Sequence, residues 1–420
     1  MQFDFKVLRK LSLITSLAFS NYFFQFLFNW TIIVSLGAGI NTDVFFSGIA
    51  IPQLFLNVIT GTLTYVMIPA FSKLAGRELL KEAWNFFHLI AAVFVILIAI
   101  LYLTSPYWVR YIYPGFTAAD LKITLQIFHI QLPGIFFSSL ISVLWALNNS
   151  QLKFVKVETT SLITNVIFFI LIYIALPKYG VIFASWLLVF KSFFQLLLLI
   201  SCMGRYSRFN RNSVVLKSCI IRVRPLILGS FYYKSDQIID KFLLSTAPIG
   251  ILTLFNVTQQ VYGAGSSIIS RCVVSTIIPV MATSTKFYQV YVERMKLLLL
   301  FTVLPFLIGV IIGCINTKFL MPYLGFNPGQ ISKLWMLLIL SSGFWFGSAL
   351  GGLSSAAFYS QNDTKTPTRI SIVTFTLYIP LKFLAFKYYG VYGLSICMSG
   401  YFICNFLIQH LILRKRYAFN

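Results

Sequence analysis

Acidic residues are scarce in this chain: 10 Asp and Glu stand against 33 Lys and Arg in 420 residues, and only 10% of positions are charged. A soluble chain of this length carries roughly a quarter charged residues and divides into two or three domains. No stretch here is polar enough for a separate soluble domain. Histidine is rarer still, and His88, His129 and His410 lack ligand spacing, which excludes a resident metal site. The six cysteines are scattered and form no C-x-x-C pair, so they read as small packing residues. A phosphate-cradling glycine loop ending in Lys-Ser/Thr is missing, so the chain itself does not hydrolyse ATP. A large outer loop bearing catalytic Arg or His is missing as well. The longest outer segment, Pro106–Asp120, is short, which argues against a membrane glycan polymerase or ligase. These absences point to a protein that is not an enzyme and carries no cofactor.

What is present is apolar and long. Hydrophobic residues make up 58% of the chain, and the mean hydropathy is +0.85. Lys6, Arg9 and Lys10 precede an apolar run from Leu11 to Leu36. That run is too long for a signal-peptide core and shows no A-x-A cleavage site, so it reads as a retained first span. Further blocks of about 20 residues or more fall near 44–71, 85–105, 123–148, 158–177 and 180–203. A second series falls near 224–246, 250–281, 297–317, 331–359, 369–386 and 389–413. The expected fold is an all-α integral membrane protein of about twelve helices. Lys and Arg sort by loop: 22 lie in one alternating set, including Lys73, Arg77, Lys153, Arg205, Lys286 and Arg414. Only Arg110, Lys122, Lys178, Lys318, Lys333, Lys382 and Lys387 lie in the other. The positive-inside rule then places both termini in the cytoplasm. The net charge of +23 is explained by anionic lipid rather than by nucleic acid.

A shift of 210 residues superimposes landmarks of the two halves. Ile68-Pro69 falls on Ile278-Pro279, Ala146 on Ala356, Ser150-Gln151 on Ser360-Gln361, and Tyr179-Gly180-Val181 on Tyr389-Gly390-Val391. Each pair holds the same place relative to a span. The expected organisation is two tandem six-span lobes, residues 1–210 and 211–420. Six is even, so the lobes insert in the same sense, as a parallel repeat around a central cavity. A duplication without mechanical meaning is the alternative.

Charges within spans carry information, because each costs about 2.5–3.5 kcal/mol on insertion scales and usually faces a partner or a wet cavity. The densest group lies in the seventh span, from Tyr232 to Lys241. At about 100° per residue, Lys234, Gln237 and Lys241 share one face. Asp236 and Asp240, four apart, share another. The eighth span adds Asn256, Gln259, Gln260, Ser266 and Arg271, and the outer end of the second adds Asp43. One reading is a hydrophilic cavity whose cations attract phosphate and whose amides and hydroxyls meet sugars. The other is a set of structural ion pairs. Lys191 and Lys241 are also placed to snorkel towards a surface.

The segment Gly37–Phe46, with Ile51-Pro52 and Ile68-Pro69, resembles the start of the MurJ/MviN lipid II flippases. So do Arg224-Pro225 through Gly229, then Asp240, Gly250 and Pro279, and the run Ala357 to Pro367. The resemblance covers nearly the whole chain. It implies membership of the multidrug/oligosaccharidyl-lipid/polysaccharide exporter superfamily, whose members move polyprenyl-diphosphate-linked glycans between leaflets by alternating access. Intramembrane arginines of that family fall, carried across without gaps, on Tyr22, Phe28, Leu56 and Gln260 here. Its acidic residue after the first span is retained as Asp43. Twelve spans, rather than fourteen, is the count of the related O-antigen and exopolysaccharide flippases.

The expected function is therefore a flippase in a bacterial inner membrane. Its cargo would be a polyprenyl-diphosphate-linked oligosaccharide for surface polysaccharide or peptidoglycan. Lys234, Lys241, Arg271 and Gln260 are the expected contacts to the diphosphate and cavity. Asp43, Asp236 and Asp240 are the expected gating or ion-coupling groups, with H+, Na+ and the membrane potential as open drivers. Expected partners are the lipid-linked glycan and membrane lipids, with a polysaccharide polymerase or glycosyltransferases alongside. The alternatives are a drug or organic-cation antiporter, a glycan polymerase or ligase, and a structural scaffold.

Overall fold

The computed structural model describes residues 5–269, 281, 287–320, 326–361, 363 and 365–417, and among them every regular element is helical. The helices are α1 (Phe5–Leu36), α2 (Ile40–Phe71), α3 (Gly76–Ile112), α4 (Ala118–Ser150) and α5 (Phe154–Ile200). They are followed by α6 (Val214–Lys234), α7 (Asp236–Ser245), α8 (Ile251–Ile269) and α9 (Phe287–Leu320). The chain continues through α10 (Pro328–Leu340), α11 (Ser342–Ser360) and α12 (Lys365–Tyr417). Several starts are set by local side chains. Thr117 and Asp120 form a reciprocal capping box at α4, with Thr117 N–H donating to the Asp120 carboxylate at 3.1 Å. At α6 the Ser213 hydroxyl accepts the Leu216 N–H and donates to Glu82, at 3.0 and 2.6 Å. Eight helical stretches among the described residues are long and apolar enough to cross a membrane. The chain is a multi-pass, all-helical membrane protein.

Two of those stretches are hairpins. The Gln195 side chain donates to Ser161 Oγ at 2.7 Å, although 34 residues separate them. Along a straight helix that separation is about 51 Å, so α5 must fold back. It does so at Gly180, whose φ of 67° and ψ of −164° lie where essentially only glycine is comfortable. The second hairpin repeats the first at the 210-residue offset. Gly390 turns α12 with φ 56° and ψ −140°, and Asn405 donates to Ser371 Oγ at 3.3 Å. Thr164 and Thr374 each donate back to carbonyls three and four residues earlier. The turns entering the hairpins match too. Lys153 N–H meets Asn148 O at 2.9 Å, and Asp363 N–H meets Phe358 O at 3.0 Å. The same local main-chain and side-chain bonds thus recur at the 210-residue offset.

By contact the chain forms two compact units, Met1–Thr246 and Ala247–Asn420. The contact boundary lies beyond the repeat midpoint because α6 and α7 pack on α2. In the first unit α2 and α3 pack on α4, and α1 on α5, around Met67, Phe71, Phe86, Phe128 and Leu144. In the second, α11 packs on α9 and α12 around Tyr291, Leu298, Leu353, Phe358 and Leu413.

Candidate functional site

The first unit assembles a buried charge cluster at the start of α2. Thr42 shapes that start: its hydroxyl accepts Gly39 N–H at 3.0 Å and donates to Gly37 O at 2.9 Å. Asp43 follows in the first turn, 3% exposed, where the helix dipole favours a carboxylate. From α7 come Asp240 and Lys241, 2% and 5% exposed. The Lys241 ammonium lies in the electrostatic field of both Asp240 and Asp43, and its Nζ has no hydrogen-bond partner among the described residues. The loop after α3 closes over this end. Tyr113 donates to Ser47 O at 2.7 Å, and Gly115 sits so close to the Ser245 carbonyl that a Cβ there would collide with it.

Lys234 meets a different environment. The half-buried side chain reaches α2 at mid-length and donates to Asn57 O at 2.6 Å. Fourteen residues of α2, about 21 Å of helix, separate Asn57 from Asp43. The structure therefore brings together Lys241, Asp240 and Asp43, and leaves Lys234 apart from them. Gln237, between the two lysines, is exposed, and Asp236 is half-buried. Lys234 reaches α2 at Asn57, whereas Lys241 lies in the field of Asp43 at the start of that helix. Lys241 does not reach a surface. Lys191, from the second arm of α5, is half-buried and holds Nζ 5.8 Å from the centre of the Phe28 ring.

Gln260, on α8, is half-buried in the second unit. Beside it Asn256 is 9% exposed, with Nδ2 unpartnered among the described residues. Arg271 lies outside the described residues.

Two features escaped the sequence reading. Lys382, assigned to the outer loops, is fully buried, its Nζ 5.0 Å from the centre of the Tyr378 ring. Its position inside the 369–386 apolar block was the signal. Glu158, the first residue of the 158–177 block, is the second. It accepts Asn21 Nδ2 at 2.8 Å, and Asn165 donates to Asn21 Oδ1 at 3.2 Å. No spacing rule connects residues so far apart in sequence.

The fold is that of an all-helical membrane transporter. It resembles a solved lipid II flippase MurJ in an inward closed conformation, with a TM-score of 0.84 and 16% identity, covering 96% of this chain and 87% of that one. A multidrug resistance MATE family transporter of the MOP superfamily, inward-facing, aligns with a TM-score of 0.76 and 13% identity, covering 97% and 98%. The family model described as lipid II flippase MurJ matches residues 32–420, and the chain belongs to that family. Similar proteins include probable lipid II flippases MurJ from Borreliella burgdorferi and Rickettsia prowazekii. The first is 22% identical over 90% of this chain and 78% of its own length. The second is 24% identical over 81% and 71%.

Proposed function

We propose that this protein flips a polyprenyl-diphosphate-linked cell-wall precursor, of the lipid II class, from the inner to the outer leaflet of a bacterial cytoplasmic membrane. Family membership over residues 32–420 supports the class of cargo. The observation that carries the assignment of roles is the contrast between the two lysines of α6 and α7. Lys234 donates to a neutral carbonyl, so its charge is available to an anion. Lys241 lies in the field of two carboxylates, so an incoming diphosphate meets their negative charge there. Lys234 is the diphosphate contact, with Gln260 and Arg271 assigned to the same cargo. Lys241 and Asp43, Asp236 and Asp240 form the gate.

The gate also has a reason to couple to an ion. Asp43 and Asp240 are both buried, and a proton or Na+ gained or lost there changes the field on Lys241. The coupling ion binds at these carboxylates, and its release accompanies exposure of the site to the other face. The cargo follows by alternating access, with both termini in the cytoplasm. The test is translocation of a labelled lipid-linked precursor in proteoliposomes. Lys234→Gln is expected to abolish both binding of polyprenyl diphosphate and translocation. Lys241→Gln is expected to keep binding within about threefold, less than 1 kcal/mol, and to lose translocation. Wild-type transport by both variants at normal protein levels would sink the assignment.

A further inference from the structure

The second unit contains an apolar cavity of about 270 Å3 between α8, α9, α10 and α11. Its walls are aromatic: Tyr262, Phe306, Trp335 and Trp345, with Leu338 and Val310. The polar atoms of two of these rings are already engaged. Trp345 Nε1 donates to Thr302 O at 3.0 Å, and the Tyr262 hydroxyl donates to Leu338 O at 2.5 Å. What they present to the cavity is ring surface. Glycines make the room. A Cβ at Gly265 would run into the Trp345 ring, and a Cβ at Gly309 would meet open space.

The cavity opens at the surface of the second unit through its own lining residues. Of those lining residues, Pro305 and Gly309 on α9 are exposed, and Ile339 on α10 is 47% exposed. A dry, apolar opening at bilayer depth is filled by hydrocarbon rather than water. Its volume lies below the roughly 300–1,000 Å3 of pockets that enclose a whole small ligand, so it takes a segment of a chain. Flat rings on several sides suit methyl-branched, unsaturated hydrocarbon, whose methyl groups and double bonds rest against ring faces. We infer that this cavity seats a segment of the polyprenyl tail of the cargo. The inference rests on the flippase reading above, and it assigns the tail a site in α8–α11.

The test uses the full-length protein in nanodiscs and a polyprenyl diphosphate carrying a diazirine in its isoprenoid chain. Illumination is expected to label peptides containing residues 305–310 and 335–339, with competition by unlabelled polyprenyl diphosphate. Gly309→Trp fills the opening and is expected to cut labelling there about tenfold, the equivalent of roughly two methylene groups no longer buried. Gly309→Ala, whose methyl meets open space, is expected to keep it. Equal labelling by a diazirine-acyl phosphatidylglycerol that polyprenyl diphosphate does not displace would show a bulk-lipid cavity and overturn the inference. Labelling only elsewhere, with diphosphate binding intact, would overturn it and leave the flippase reading standing. Failure of the wild-type protein to bind polyprenyl diphosphate at all would remove both.

Discussion

Lys241 is the residue whose replacement separates a gate from a packing element. Removing one partner from a buried charge group leaves the others uncompensated, typically at about 3–5 kcal/mol. Lys241→Gln removes an ammonium from the field of Asp43 and Asp240, both under 4% exposed, so it is expected to lower thermal stability in detergent as well as transport. Adding Asp43→Asn to that variant removes one of the two buried carboxylates in that field. The double variant is expected to recover at least about 1 kcal/mol of the single variant's loss, since residues that share a field are not additive. Strict additivity in that cycle would mean that the two side chains do not act together. By itself Asp43→Asn removes one of the proposed ion-coupling carboxylates. It is expected to abolish the ion dependence of translocation while leaving binding of polyprenyl diphosphate intact.

At the scale of the element, the two hairpins make separate predictions. Gly180 and Gly390 hold positive φ, and a Cβ at either would meet nothing within 4 Å, so the effect of a side chain there is one of backbone conformation alone. Gly180→Ala and Gly390→Ala are each expected to destabilise by about 1–3 kcal/mol, read as a fall in unfolding temperature. The α12 hairpin is also clasped at its open end. Asp363 accepts the Thr366 N–H at 2.9 Å and the Thr366 hydroxyl at 2.6 Å, and it pairs with Arg416 at 2.8 Å. Desolvation pushes its carboxyl up, but the Thr366 hydrogen bonds and Arg416 outweigh it and hold the group below its ordinary 3.8. A depressed carboxyl contributes stability above the unfolded value and loses it as pH falls through the folded one. Asp363→Ala is expected to cost about 1 kcal/mol at neutral pH, as for a lost helix-end acceptor. Asp363→Asn, which still accepts the N–H, is expected to cost less and to flatten the acid limb of the stability profile. The hairpin turns are legible in the amino-acid sequence, because Tyr-Gly-Val recurs at the 210-residue offset. The clasp is not, since Asp363 and Arg416 lie 53 residues apart.

For the whole molecule, the decisive measurement is transport. Reconstituted protein is expected to move a labelled lipid-linked precursor to the opposite leaflet, and to do so in response to a proton, Na+ or voltage gradient. Cysteines placed at either terminus are expected to react with membrane-impermeant reagents only from the cytoplasmic face. Labelling of either from outside would overturn the orientation drawn from 22 basic residues in one set of loops.

The order of apolar blocks, the scarcity of acid and the duplicated glycine turns determined the class of protein from the sequence alone. Those signals are local: a span is a run of contiguous residues, and a turn is a few. Tertiary structure decided which charges are buried and beside what. It joined Lys241 to Asp43 across about 200 positions, tied Glu158 to Asn21, hid Lys382, and kept Lys234 apart on Asn57. The physical reason is that a helix apolar on every side carries no periodic mark of the face it turns to its neighbours. Only the packing of one span on another selects that face.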